Sequence, residues 1–177
     1  GTAHDCLQGV PGVSFVLVRK GFMERMKAYP KRSWYLHLPH YYEDAEKGSS
    51  PVTPAVQVFY AFDEALNELL EEGVPARIRR YKNAAALIRK KMDELGMKPV
   101  LPAELQSNSL TAYHLPDGVT YQMLHDKLKE QGYVIYPGQG LLDGKIFRVA
   151  NMGALTEQQI EGFLTAFQGS IRTITAR

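Results

Sequence analysis

The sequence predicts an α/β chain whose C-terminal part is a small α+β domain, with an open antiparallel sheet and helices on one face. Apolar residues recur at helical spacing through two long consecutive segments, 53–72 and 75–95. After residue 97 the order of segments is strand, helix, strand, strand and helix. A short apolar run near the N-terminus precedes these elements and predicts one further strand.

Composition limits the classes of partner. The 177 residues suffice for one domain with a core, or for one domain plus an appendage. A formal net charge of +2 gives no electrostatic case for nucleic acid or membrane partners. The single cysteine, Cys6, excludes an internal disulfide framework and fits the cytoplasm. His37 and His40 lack a third clustered ligand, so no metal site is predicted.

The N-terminal third contains one predicted strand that has no predicted neighbour. Val13–Val18 is apolar and β-branched and follows Pro11-Gly12. Residues 19–29 have helical composition, and 34–46 could form a short helix or a packed loop. A lone strand cannot bury both of its faces. We therefore expect this strand and one face of each long helix to be uncovered, and a homodimer to cover them.

The two long helices have clear start and stop signals. Thr53 is a good N-cap residue and Pro54 suits the first helical position. Gly73 and Gly96 are the predicted stops of the first and second helix. Three arginines of the second helix are expected to form a solvated face: Arg77, Arg79 and Arg80.

The C-terminal elements follow from the same signals. Turn glycines and prolines separate short apolar runs of period two from segments of helical period. The predicted elements are strand Ser107–Leu115, helix Tyr121–Gln131 ending at Gly132, strand Tyr133–Tyr136, strand Lys145–Ala150, and a helix capped by Thr156 that reaches Arg172. Tyr121, Tyr133 and Tyr136 are expected to pack or to line a cleft. The chain then divides into 1–52, the linking helices 53–96, and the small domain 97–177.

Three segments carry a family resemblance. They are Cys-Leu-Gln-Gly-Val-Pro-Gly at 6–12, Lys-Leu-Lys-Glu-Gln-Gly-Tyr-Val-Ile-Tyr-Pro-Gly at 127–138, and Ile-Phe-Arg-Val-Ala-Asn-Met-Gly at 146–153. In order and spacing they resemble the class V aminotransferases of fold-type I, and most closely the phosphonate-specific branch. The resemblance implies the C-terminal half of an enzyme that uses pyridoxal 5'-phosphate (PLP) to move an amino group from 2-aminoethylphosphonate, or a related amine, to pyruvate. An alanine/serine–glyoxylate type remains an alternative.

The resemblance also implies roles for three residues. Asp5 stands where the family has the lysine that carries PLP, so no catalytic residue is assigned. Arg148 matches the arginine that binds the substrate carboxylate, a task suited to a planar guanidinium. Thr53 matches the threonine that reaches the PLP phosphate of the neighbouring subunit, although a plain N-cap would explain it as well.

Three hypotheses follow for the chain itself. The first is a fragment of a PLP-dependent transaminase that is inactive alone, because an aspartate cannot form a Schiff base. The second is a non-catalytic dimerisation or interaction module. The third is a split enzyme whose lysine and large domain come from another polypeptide. Only four residues precede Asp5, too few to form a domain, so we expect a truncated open reading frame or an excised fragment rather than a degenerate homologue.

Overall fold

Six α-helices and three β-strands make up the described part of the chain, residues 1–176 of a computed structural model. They form two compact units, Gly1–Glu68 and a second that begins at Leu69. The predicted three-part division stays a prediction, since the two units meet within a helix. In chain order the elements are α1 (Lys20–Lys27), α2 (Leu38–Glu46), α3 (Val56–Glu72), α4 (Val74–Glu94), β1 (Leu110–His114), α5 (Tyr121–Lys129), β2 (Tyr136–Pro137), β3 (Ile146–Ala150) and α6 (Glu157–Thr175).

The three strands form the open antiparallel sheet that the sequence predicts, in the order β1-β3-β2. Tyr113 of β1 pairs with Phe147 of β3, and Thr111 pairs with Val149. On the other side of β3, Tyr136 pairs with Arg148. Since paired residues in an antiparallel sheet share a face, the register fixes which side chains lie together.

One face of this sheet carries the core of the second unit. Phe147 is fully buried and stacks on Tyr113 at 5.5 Å between ring centroids. Its other ring neighbour is Phe167 of α6, also at 5.5 Å. Helices α4, α5 and α6 complete the same cluster with apolar side chains that include Ile88, Met92, Leu124, Leu128, Ile160 and Leu164. The prediction of helices on one face is therefore confirmed.

The predicted helix ends are largely confirmed. Gly73, Gly96 and Gly132 all have positive φ, at +81°, +72° and +84°, where a left-handed residue ends a helix. Thr156 caps α6 and forms a capping box with Gln159. Residues 34–46, for which two structures were open, contain helix α2. No helix in residues 1–176 combines the length and the hydropathy needed to cross a bilayer.

The predicted strand Val13–Val18 is wrong. Its described pairing is limited to one isolated bridge, between Thr2 and Ser14, with hydrogen bonds from Ala3 N to Val13 O and from Phe15 N to Gly1 O. A strand needs neighbours along its length, and only the first three residues run beside this segment. Leu17 is consequently 90% exposed. Exposure of this segment agrees with the expectation of an uncovered surface.

Two element boundaries also differ from the prediction. Helix α3 begins at Val56, and Ala55 rather than Thr53 accepts the first helical hydrogen bond, from Phe59 N. The Pro54 carbonyl accepts from Val56 N, so a tight turn occupies the expected first helical position. The strand predicted at Tyr133–Tyr136 is reduced to Tyr136–Pro137, because Tyr133 N instead closes the end of α5 on Leu128 O.

Candidate functional site

Strand β3 presents Arg148 on the face of the sheet opposite the core. Its neighbours Phe147 and Val149 point into the core, so the two-residue period of a strand turns Arg148 the other way. The cross-strand partners of Arg148 are Tyr136 on β2 and Ala112 on β1, and all three lie on this outer face. The sheet thus places one half-buried cation between an aromatic residue and a small one.

The guanidinium of Arg148 is anchored at the sheet edge. Its Nε donates to the Pro137 carbonyl at 2.8 Å. Gly138 N donates to Ile146 O at 3.1 Å, so these two residues form a hydrogen-bonded pair. Hydrogen-bonded and non-hydrogen-bonded pairs alternate along an antiparallel ladder. In the next pair, Pro137 with Phe147, the backbone N–H and C=O groups therefore point away from the partner strand. Pro137 therefore leaves its carbonyl at the free edge, and Arg148 satisfies it.

The backbone that carries this carbonyl is held by close packing. Gly138 is buried, and a Cβ at this position would lie 2.1 Å from the Leu142 carbonyl oxygen. The same Cβ would lie 2.8 Å from Cγ1 of Ile146. Only glycine fits here without displacing the following turn, Gly140–Leu142. The turn after β2 therefore fixes the position of the acceptor for Arg148.

Two tyrosines lie near Arg148. Tyr121 of α5 donates from its hydroxyl to Ile135 O at 2.8 Å, immediately before β2. Burial raises the pKa of Tyr121; the charge of an ionised Tyr136 adds to the rise, and the positive charge of Arg148 opposes it. The sequence did not predict this grouping, because only the β2–β3 register brings Tyr136 beside Arg148. The Tyr-Pro-Gly of the second motif was the available signal.

The residues after β3 are tied to α4. Asn151 is buried and donates from Nδ2 to Asn108 O at 2.9 Å and to Tyr81 O at 3.4 Å. Gly153 N donates to the Tyr81 hydroxyl at 3.0 Å, and Arg80 Nη1 donates to Gly153 O at 2.8 Å. The third motif therefore combines Arg148 with an anchor that holds the end of its strand on α4.

The expectation of a solvated arginine face on α4 is wrong for two of the three residues. Arg77 is only 6% exposed, and its Nε donates to Glu72 at 2.6 Å. Arg80 donates to the same carboxylate from Nε at 2.7 Å and from Nη2 at 3.0 Å. Arg79 alone is exposed. Helical periodicity did not reveal this cluster, since Glu72 lies on the preceding helix beyond the turn at Gly73.

Glu72 is strongly favoured in its ionised form. Hydrogen bonds from Arg80 and Arg77 lower its pKa from the ordinary 4.5 to about 2, although partial burial acts in the opposite direction. The same pairing raises the pKa of Arg80. The cluster of Glu72, Arg77 and Arg80 is therefore an ionised network in which one carboxylate accepts hydrogen bonds from two guanidinium groups.

The other two predicted site residues belong to the first unit. Thr53 is exposed in the segment before α3 and lines an open depression of about 620 Å³ formed by residues 48–54. Asp5 is exposed, and its carboxylate accepts a hydrogen bond from the Thr2 hydroxyl. Arg148 lies in the second unit. The roles predicted for Thr53 and Arg148 stay predictions.

Comparison with known proteins agrees with the fold and the motifs. No protein-family model matches the chain. A solved structure of pyridoxamine–pyruvate aminotransferase from Mesorhizobium loti matches 97% of the chain and 45% of its own length, with a TM-score of 0.86 and 27% identity. Ureidoglycine–glyoxylate aminotransferase from Bacillus subtilis matches 99% of the chain and 46% of its own length, with a TM-score of 0.89 and 23% identity. The fold is that of the class V aminotransferases.

The sequence comparison is more specific. A 2-aminoethylphosphonate–pyruvate transaminase from Vibrio cholerae serotype O1 is 37% identical over 175 residues, which cover 96% of the chain and 47% of that enzyme. One from Bacillus cytotoxicus is 39% identical over 163 residues, covering 90% and 44%. The chain is thus similar over nearly its whole length to aminotransferases, and it spans about half the length of the curated relatives it matches.

Class V aminotransferases depend on PLP, and Asp5, which the first motif predicts at the lysine position, does not fit covalent attachment of that cofactor. A Schiff base requires a free amine, whereas Asp5 offers a carboxylate that the Thr2 hydroxyl already binds. The following segment, Cys6–Gly12, contains no lysine. No step of PLP chemistry is therefore assigned to this segment.

We predict that Glu72→Gln destabilises the second unit by about 2 kcal/mol, because it leaves Arg77 and Arg80 without their carboxylate. Since the folded pKa of Glu72 is about 2, the stability it contributes is present above its unfolded pKa near 4.5 and is lost as pH falls toward 2. Urea unfolding between pH 2 and pH 7 measures both effects. The matched control is Glu71→Gln, at an exposed position beside Glu72. Equal stability of the two variants at pH 7 would contradict the prediction.

Proposed function

We propose that this chain supplies the substrate-carboxylate-binding part of a transaminase that moves an amino group from 2-aminoethylphosphonate, or a related amine, to pyruvate. The observation that carries the proposal is the anchored position of Arg148 within its motif. The names of the similar enzymes support the choice of amino donor and acceptor. Among the alternatives, an alanine/serine–glyoxylate type would also require a carboxylate site.

The geometry of Arg148 suits a small carboxylate. Its Nε is committed to Pro137, so the Nη1 and Nη2 groups remain to face a ligand. Two parallel, charge-assisted hydrogen bonds from these groups match the two oxygens of a carboxylate. Ala112 is the smallest side chain beside Arg148 and leaves room for a short acid over β1. Pyruvate meets both requirements.

We further propose that the chain alone does not catalyse transamination. Asp5 is proposed to occupy the position of the PLP lysine, and it lacks the amine that would hold the cofactor and shuttle the proton. Thr53 is proposed to contact the phosphate of PLP bound by a neighbouring subunit. Its exposure and its place before α3 support this role.

A non-catalytic interaction module is the second candidate, and the apolar surface of the first unit favours it. Tyr60 is 74% exposed on α3, with Val56 and Phe59 also exposed nearby. A cavity of about 550 Å³ lies along this part of the helix and reaches Leu66. Exposed apolar area of this kind marks an interface. A homodimer formed through α3 is compatible with both candidates.

We predict that Arg148→Gln abolishes pyruvate binding by the chain. The variant removes the positive charge and the paired donors, and the carboxylate then has no cationic partner on this face. Isothermal titration calorimetry with pyruvate measures the loss, and the uncharged methyl pyruvate should not bind either protein. Arg172→Gln is the matched control, because Arg172 is an exposed residue of α6. Unchanged pyruvate affinity in Arg148→Gln would rule out the proposed role.

We predict no transfer of the amino group from 2-aminoethylphosphonate to pyruvate by the purified chain with added PLP. Borohydride reduction followed by intact-mass measurement should also yield no stoichiometric lysine adduct, since position 5 has no amine. Saturable transfer, or a single adduct at one lysine, would show that another residue holds the cofactor. The chain would then have to be treated as an enzyme in its own right.

We predict a dimer in solution, measured by multi-angle light scattering at micromolar concentration. Tyr60→Glu should shift the protein to a monomer, because it places a charge within the apolar surface of α3. Gln158→Glu makes the same change of charge at an exposed position of α6 and should leave the dimer intact. A monomeric unmodified chain would argue against the interaction module and against the homodimer.

A further inference from the structure

Tyr136 is placed for a ligand contact by the register of the sheet. It pairs directly with Arg148 across β2 and β3, and paired side chains start about 5 Å apart on the same face. The core occupies the other face, so neither side chain is needed to fill it. An aromatic residue at this position is therefore a neighbour of the guanidinium rather than a part of the hydrophobic cluster.

The Tyr136 hydroxyl is available as a donor. The side chain is 59% exposed, and its hydroxyl makes no hydrogen bond with any residue in the range 1–176. Tyr121, the second tyrosine near Arg148, differs in this respect, because its hydroxyl already donates to Ile135 O. The electrostatic influence of Tyr136 and Arg148 on Tyr121 agrees with the three polar groups lying close together.

The anchoring of Arg148 restricts where an anion can bind. Because Nε is held by the Pro137 carbonyl, a carboxylate meets the outer end of the guanidinium, at Nη1 and Nη2. Each carboxylate oxygen can accept more than one hydrogen bond, so two bonds from Arg148 leave acceptor capacity on the ligand. A phenolic hydroxyl beside the guanidinium can fill that capacity.

We infer that the Tyr136 hydroxyl donates a further hydrogen bond to the carboxylate that Arg148 holds, which makes Tyr136 a second binding residue for the keto acid. The inference rests on the proposed function and deepens it, since it concerns the same carboxylate site. Nothing in the family resemblance assigns a role to this tyrosine. The phenol recognises the carboxylate of pyruvate, and it has no comparable partner in a neutral ester.

The test is a pyruvate titration of the full chain and three variants, followed by NMR of the arginine side-chain signals and by calorimetry. Tyr136→Phe removes only the hydroxyl and should weaken pyruvate binding by about three- to tenfold, the usual net effect of one hydrogen bond. Tyr29→Phe, which removes the hydroxyl of a similarly exposed tyrosine (66% against 59% for Tyr136) just after α1, should bind as the unmodified chain does. Arg148→Gln should lose binding altogether.

The NMR signals give a readout that does not depend on activity. In the unmodified chain and in Tyr136→Phe, the Arg148 Nε signal should stay protected from exchange, since Pro137 binds it in both. This shows that the variant is folded and that Arg148 keeps its position. Pyruvate should then shift the Nη signals of both proteins, with a higher dissociation constant for Tyr136→Phe.

The outcomes separate the two proposals. If Tyr136→Phe binds as tightly as the unmodified chain while Arg148→Gln loses binding, the inference about Tyr136 is overturned and the carboxylate role of Arg148 stands. If Arg148→Gln binds pyruvate normally, or if the unmodified chain does not bind it at all, the carboxylate site fails and the inference fails with it. The inference is supported only when Tyr136→Phe and Arg148→Gln both lose affinity and Tyr29→Phe does not.

Discussion

The alternation of side chains along β3 is the constraint on which the candidate site depends. Phe147 and Val149 must face the helices, because their rings and methyl groups complete the core of the second unit. Because successive side chains of a strand point to opposite faces, the residue between these two must point away from the core. Arg148 is therefore presented on the outer face with its cross-strand neighbours, and a shift of register by one residue would place a cation in the core.

The ends of this strand are held by polar contacts rather than by the core. On one side, Asn151 and Gly153 bind to backbone and side-chain groups of α4. On the other, the close packing at Gly138 fixes the turn whose carbonyl accepts from Arg148. The ionised cluster around Glu72 connects with the first of these contacts through Arg80, which also binds Gly153. The stability of the unit and the position of its candidate binding residue thus share one set of interactions.

Local signals predicted the helices well and the isolated strand poorly. Gly73, Gly96 and Thr156 act within a few residues of themselves, and their predicted roles are confirmed. The segment Val13–Val18 has the composition of a strand, but in the described chain its backbone pairs only with residues 1–3, so composition alone was misleading. Thr53 is not the N-cap of α3, because a tight turn centred on Ala55 separates it from the first residue of the helix.

The sequence by itself determined the class of protein, the order of the second unit's elements and the candidate Arg148, since these are carried by periodicity and by three motifs. Only the tertiary structure decided which groups surround that arginine. Tyr136 pairs with Arg148, and Glu72 binds both Arg77 and Arg80. The order of residues along the chain does not predict either contact. Register and helix packing create such contacts because burying the apolar faces fixes the remaining side chains in space.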